Sequence, residues 1–331
     1  MRARLVALLL ATALPLFAQT PEPATARALS GHAESTRRGF EEAVKRSDDV
    51  LWYMKLSDVA SIDKVQITSK PRREKNPTAQ GAGNPLVIPV YVFTPKGLRA
   101  KAPLIVFVHG GVHGDFNTFY AHIVRELLDQ GYVIVAPEYR GSTGYGEDLY
   151  DQIDYGGAEI DDVKAARDWA VENLQQVDGK RVGIIGWSHG GYQTLMNIAR
   201  FPDAYQVAYA GVPVSDLVQR MGYKSQGYRN IFKEFIGKEA VDDPAEYRRR
   251  SPVNHAAEIQ TPLLIHTNTN DEDVNVMEVE HMIEALKAAG KKFEYKIYPA
   301  APGGHLFNRL DTRLARDSRQ EVWAFLARYL K

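Results

Sequence analysis

The sequence predicts an α/β protein in which a mainly parallel central sheet is covered by helices on both faces. Three observations carry that expectation. From Pro103 onward, strand-like and helix-like segments alternate, the order produced by parallel strands joined through helical crossovers. Residues 104–108 form an unbroken apolar run, as a strand buried on both faces requires. The segments between strands place apolar residues at helical spacing, as with Ile123, Leu127 and Leu128.

Local signals set the elements in turn. Residues 21–26 read as a short linker and 34–54 as a helix. Residues 65–68 and 86–93 read as strands, the second alternating and rich in Val, Ile and aromatic residues. The stretch 70–85 between them carries Pro and Gly and reads as a loop. A strand at 104–108 precedes a helix at 118–129, with Asn117 as its N-cap and Gly131 placed to stop it. A strand at 132–136 follows, then a helix at 160–173 with Val163, Ala166, Trp169 and Ala170 on one side. Residues 181–186, 207–210, 263–266 and 293–298 complete the strands; 190–200, 276–289 and 315–329 complete the helices.

Composition excludes several classes of function. The 331 residues contain 41 Lys plus Arg and 41 Asp plus Glu, so the chain lacks the basic footprint of a nucleic-acid binder. It has no cysteine, which removes disulfides, thiolate metal sites and a cysteine nucleophile. Arg2 and Arg4, the apolar run 5–14 and Ala18 before Gln19 read as a signal peptide over residues 1–18, too short to span a bilayer. The expectation is an exported, periplasmic or secreted protein that leaves the membrane after cleavage. Residues 19–85 then form an N-terminal extension with the first strand region, and 86–331 a catalytic domain.

The chemistry centres on Gly186-Trp187-Ser188-His189-Gly190, a G-x-S-x-G between an apolar strand and a helix. That context is the nucleophile elbow of the α/β-hydrolase fold, a sharp turn that exposes its serine. A serine hydroxyl needs a base, and the base an orienting acid; in this fold they follow in the order Ser, acid, His. After the strand at 263–266 come Asp271, Glu272 and Asp273, any of which can be the acid while the others cap the next helix. After the strand at 293–298, His305 sits in a Gly-rich loop where the base belongs. His281 falls inside a helix and reads as a surface residue, while His32, His122 and His255 read as structural. The oxyanion requires two donors. One is the backbone N–H of His189; the other comes from the turn His109-Gly110-Gly111, with Gly111 the candidate. A rival reading takes His109 and His113 as zinc ligands, but the glycines between them oppose a helix presenting both, and no H-E-x-x-H accompanies them. No metal and no cofactor is expected. Trp187, Tyr192 and Val214 are candidates for an apolar substrate pocket, and equally for the core.

From about Val87 to its end the chain resembles the catalytic domain of the prolyl oligopeptidase family. The resemblance rests on His109-Gly110-Gly111, on residues 139–146 (YRGSTGYG), on Gly156-Gly157 with Asp162-Val163, and on residues 186–192 (GWSHGGY). It continues through Asp243-Pro244, Tyr247 and Ser251-Pro252. It implies a serine peptidase with Ser188 as nucleophile and His305 as base. It implies Asp271 as the acid, three residues before Val274, with Asp273 second. The chain departs from the family pattern at His189, where tyrosine is usual, at His266-Thr267-Asn268, and at Asn275, where proline is common. Family peptidases also carry a β-propeller, for which the roughly 80 residues before Leu86 are too few. The expected function is cleavage of a small peptide or ester substrate through an acyl-enzyme. A carboxylesterase is the alternative, and a non-catalytic binding protein on the same scaffold is the alternative of another class.

Overall fold

The computed structural model describes residues 23–74 and 76–331, with residues 23–30 described by backbone alone. The candidate signal peptide at 1–18 lies outside the described residues. Eight strands form one sheet: β1 (Ala60–Pro71), β2 (Pro85–Pro95), β3 (Ala102–Val108), β4 (Val133–Pro137), β5 (Val177–Trp187), β6 (Val207–Gly211), β7 (Leu263–Asn268) and β8 (Phe293–Tyr298). Their order is β1-β2-β4-β3-β5-β6-β7-β8. β1 and β2 are antiparallel to each other, as are β2 and β4; every pairing from β4 through β8 is parallel.

The helices are α1 (Pro23–Leu56), α2 (Ala121–Asp129), α3 (Glu147–Tyr150), α4 (Ala158–Asn173), α5 (His189–Arg200), α6 (Leu217–Tyr223), α7 (Gln226–Ile236), α8 (Pro244–Arg249), α9 (Val276–Ala288) and α10 (Arg313–Leu330). The sheet separates two cores because successive side chains of a strand point to opposite faces. Leu104, Val106 and Val108 of β3 join Val163 of α4, Leu195 of α5 and Val279 of α9. Ile105 and Phe107 of the same strand join Trp52 of α1, Ile123 of α2 and Val322 of α10.

Among the segments that differ from expectation, two concern helix starts. Residues 23–26 are the first turn of α1 rather than a linker. Pro23 is tolerated there because the first helical N–H has no partner within the helix, and Ala24 and Ala26 favour the helix that follows. The acids before α9 do not cap it; the Asn275 side chain does, accepting from the Met277 N–H at 3.0 Å.

Arg140 and Asp162 show why two of the characteristic segments travel together. The Arg140 guanidinium and backbone N–H all donate to the Asp162 carboxylate, at 2.8–2.9 Å, and Ser69 of β1 donates to it as well. Both side chains are buried, which ties the loop after β4 to α4. Asp162→Ala leaves a buried guanidinium without its anion, so it should destabilise the fold by about 3–5 kcal/mol. Denaturant unfolding of the variant checks this, and a loss below about 1 kcal/mol would show that the pair is not needed.

Candidate active site

Ser188 sits between β5 and α5 with φ 59° and ψ −121°, a left-handed conformation that a non-glycine residue adopts only under strain. The flanking glycines make the turn possible. A Cβ on Gly190 would lie 2.2 Å from the Val108 carbonyl oxygen, and one on Gly186 would lie 2.3 Å from the Gly190 carbonyl carbon. The turn is therefore closed tightly, with Gly190 against the C-terminal end of β3 and Gly186 against Gly190. His189 opens α5, so its backbone N–H has no partner within the helix.

The turn His109-Gly110-Gly111 is fixed from beneath. The Tyr139 hydroxyl donates to the Gly111 carbonyl at 2.9 Å, and its ring stacks on the His109 imidazole with centroids 4.2 Å apart. Gly111 takes φ 75°, and it lines the same cavity as Ser188 and His189. His109 and His113 serve separate networks. His109 Nε2 lies 3.0 Å from Ser142 Oγ and 3.3 Å from buried Glu138, whereas His113 Nδ1 donates to the Gly141 carbonyl.

At the ends of β7 and β8 the structure brings Asp271 and His305 together. His305 Nδ1 lies 2.9 and 2.8 Å from the two Asp271 oxygens, and the Asp271 side chain is fully buried. Asp271 Oδ1 also accepts the backbone N–H groups of Asp273 and Val274, at 2.9 and 2.8 Å. With Nδ1–H directed at Asp271, Nε2 keeps a lone pair for a proton. Among the described residues, no hydrogen bond links Ser188 Oγ to that nitrogen; Asp273 Oδ2 lies 3.8 Å from it.

The other two acids have separate tasks. Glu272 accepts the His305 backbone N–H at 3.0 Å, and only a glycine at 304 leaves room for its carboxylate. Asn268 and Asn270 extend this tie by donating to the Gly304 and Ala301 carbonyls. Asp273 pairs with Arg220 at 3.1 Å and Lys224 at 2.6 Å. Burial acts to raise its carboxyl, but Arg220, Lys224 and His305 hold it below the usual aspartate range. His266, by contrast, is pushed down to about 4 by burial at the end of β7 and is neutral near pH 7.

A cavity of about 240 Å³ opens beside Ser188. Its wall is one face of α7, where Tyr228, Ile231, Phe232 and Phe235 follow helical spacing, together with Tyr155 and Val214. Burial raises the Tyr155 phenol well above its ordinary value, so it stays neutral. Arg220 and Asp273 supply the charged end of the wall. Of the pocket residues expected from sequence, Val214 is present. Trp187 and Tyr192 are not, because both are fully buried in the core. Trp187 points to the opposite face of the sheet, against Phe107 and Tyr209, and the Tyr192 hydroxyl donates to the Arg250 carbonyl at 2.7 Å. His281 is half exposed and bonds Asp216 from the surface of α9.

Known proteins share this architecture. The family model described as "Prolyl oligopeptidase family" matches residues 118–331, and a model for platelet-activating factor acetylhydrolase, isoform II, matches residues 84–147. An uncharacterized peptidase, YuxL, of Bacillus subtilis is 32% identical over 202 residues, covering 60% of this chain and 30% of the relative. Acylamino-acid-releasing enzyme 1 of Oryza sativa subsp. japonica is 28% identical over 260 residues, covering 74% of this chain and 32% of the relative. The chain thus spans about a third of the length of these curated relatives. The solved structure of uncomplexed Pyrococcus horikoshii acylaminoacyl peptidase superposes with a TM-score of 0.70 at 23% identity, over 84% of this chain and 43% of that one. With the family model spanning β4 to β8 and with them Ser188, Asp271 and His305, the chain belongs to the prolyl oligopeptidase family.

Proposed function

We propose that the protein is a serine hydrolase that cleaves a peptide or ester bond through an acyl-enzyme on Ser188. The observation that carries this reading is a strained, cavity-facing serine at the same, C-terminal end of the parallel strands as His305 paired with the buried Asp271 side chain. Ser188 Oγ attacks the carbonyl carbon and its proton passes to His305 Nε2. The bond to the leaving nitrogen or oxygen breaks, and that atom takes the proton from His305. Water repeats the sequence on the acyl-enzyme and releases the acid. Asp271 fixes the tautomer throughout, and the N–H groups of His189 and Gly111 receive the oxyanion.

The aromatic and aliphatic wall supports an apolar acyl group or side chain next to the scissile carbonyl, where each buried methylene contributes about 0.8 kcal/mol. The peptidase names among the relatives support an amide substrate. The match of residues 84–147 to an acetylhydrolase model supports a short ester as a second reading. We also propose export, on the charged and apolar pattern of residues 1–18.

A panel of p-nitrophenyl esters and aminoacyl p-nitroanilides, run on one preparation, tests substrate class. Among the described residues no separate domain stands over the cavity, so few remote contacts assist cleavage of a resistant amide. Short-chain aryl esters should therefore show the higher kcat/KM. Faster arylamide cleavage would instead mark a dedicated peptide subsite, and inactivity on the whole panel would remove the hydrolase reading.

A further inference from the structure

Buried arginines in this protein are matched by carboxylates. Arg140 pairs with Asp162, Arg220 with Asp273 and Glu278, Arg250 with Asp154 and Glu246, and Arg319 with Glu126. Arg309 is different. It is 4% exposed, and among the described residues no carboxylate lies within 4.0 Å of it. Its Nη2 donates to the His305 carbonyl, and its Nε is buried without a partner. Its Nη1 also makes no hydrogen bond to the described residues, and it is not among the atoms sealed from solvent. Folding around a buried cation with no counter-charge is costly, so this guanidinium suits an anion that arrives from outside.

Its position says which anion. Arg309 closes the 3-10 turn Gly304–Arg309 that carries His305. A Cβ built on Gly110 would lie 3.5 Å from Ser188 Cβ and 3.7 Å from Arg309 Nη1, so the nucleophile and the guanidinium border the same bare glycine. Arg309 does not line the cavity beside Ser188, which the acyl side would occupy. The leaving group collects its proton from His305 and so departs along the His305 turn.

We propose that Arg309 forms an anion-binding subsite for the leaving group. It favours substrates in which a carboxylate lies close to the scissile bond on that side, as in a departing amino acid or a short peptide with a free C-terminus. Nη2 is taken by the His305 carbonyl and Nε is sealed, so Nη1 is the donor open to the carboxylate, through a single charge-assisted contact. The inference rests on the acyl-transfer reading given above.

The test uses two aryl esters of one acyl group, the 3-carboxyphenyl and the 3-carbamoylphenyl ester. The carboxamide is intrinsically the better leaving group, so a preference for the carboxylate reports binding. The full chain should favour the carboxylate ester by about tenfold in kcat/KM, the scale of one charge-assisted contact. Arg309→Gln should bring the ratio to about one or below, and Arg309→Lys should keep part of it because a charge remains on a side chain of different reach. The ratio cancels any general loss of activity in a variant. A wild-type ratio at or below one overturns the proposal even if Arg309→Gln fails to fold, and so does a ratio that survives in a folded Arg309→Gln. Ser188-dependent hydrolysis of both esters without preference removes only this subsite, whereas hydrolysis of neither removes the acyl-transfer reading as well.

Discussion

Ser188→Ala is expected to abolish labelling by an active-site fluorophosphonate and to lower kcat on activated esters by on the order of 10⁶-fold. The size follows from geometry. Asp271 and His305 are in contact and Nε2 has a lone pair, but without the hydroxyl that base has no oxygen to activate. Alanine keeps the Cβ that already tolerates φ 59°, so the turn should survive and circular dichroism should match the wild type. Turnover in the variant above about one thousandth of the wild-type value would place the nucleophile elsewhere.

Asp271→Asn should reduce kcat by about 10⁴-fold, since an amide facing Nδ1 favours the wrong imidazole tautomer. Asp273→Asn should cost far less. Asp273 faces Nε2 at 3.8 Å and makes no hydrogen bond to the ring, and its partner Arg220 keeps Glu278 as a counter-charge. Steady-state kinetics of the two variants side by side decide between them. A large loss at Asp273 with a small one at Asp271 would move the orienting acid two residues along the loop.

The residues differ in how readable they are from sequence, for physical reasons. β3 and β4 are plain because a strand buried on both faces must be apolar throughout. The serine turn is plain because only glycine fits at 186 and 190. Three consecutive acids at 271–273 are not separable by pattern, since loop curvature alone decides that Asp271 meets Nδ1, Glu272 the backbone N–H, and Asp273 the arginine. Helices α6–α8 escape a strand-and-helix reading based on core periodicity, because the apolar face of α7 lines a cavity rather than the sheet. Its spacing at 228, 231, 232 and 235 was nevertheless a usable signal. Trp187 misleads because it is next to the nucleophile in sequence but on the opposite face of the sheet. Arg309 carries no signal at all, because the absence of a partner is a property of three dimensions.

The order of the strands also bears on synthesis. A chain emerges from the ribosome N-terminus first, and domains fold in that order. Ser188 directly follows β5 in the middle of the sheet, but the histidine proposed to activate it follows β8, an edge strand that comes after the other seven in sequence. The nascent polypeptide therefore displays its serine before the proposed base exists, and hydrolysis through that pair must wait for β8 and the turn after it. Recovery of fluorophosphonate labelling during refolding would accordingly report completion of the whole sheet rather than formation of the elbow.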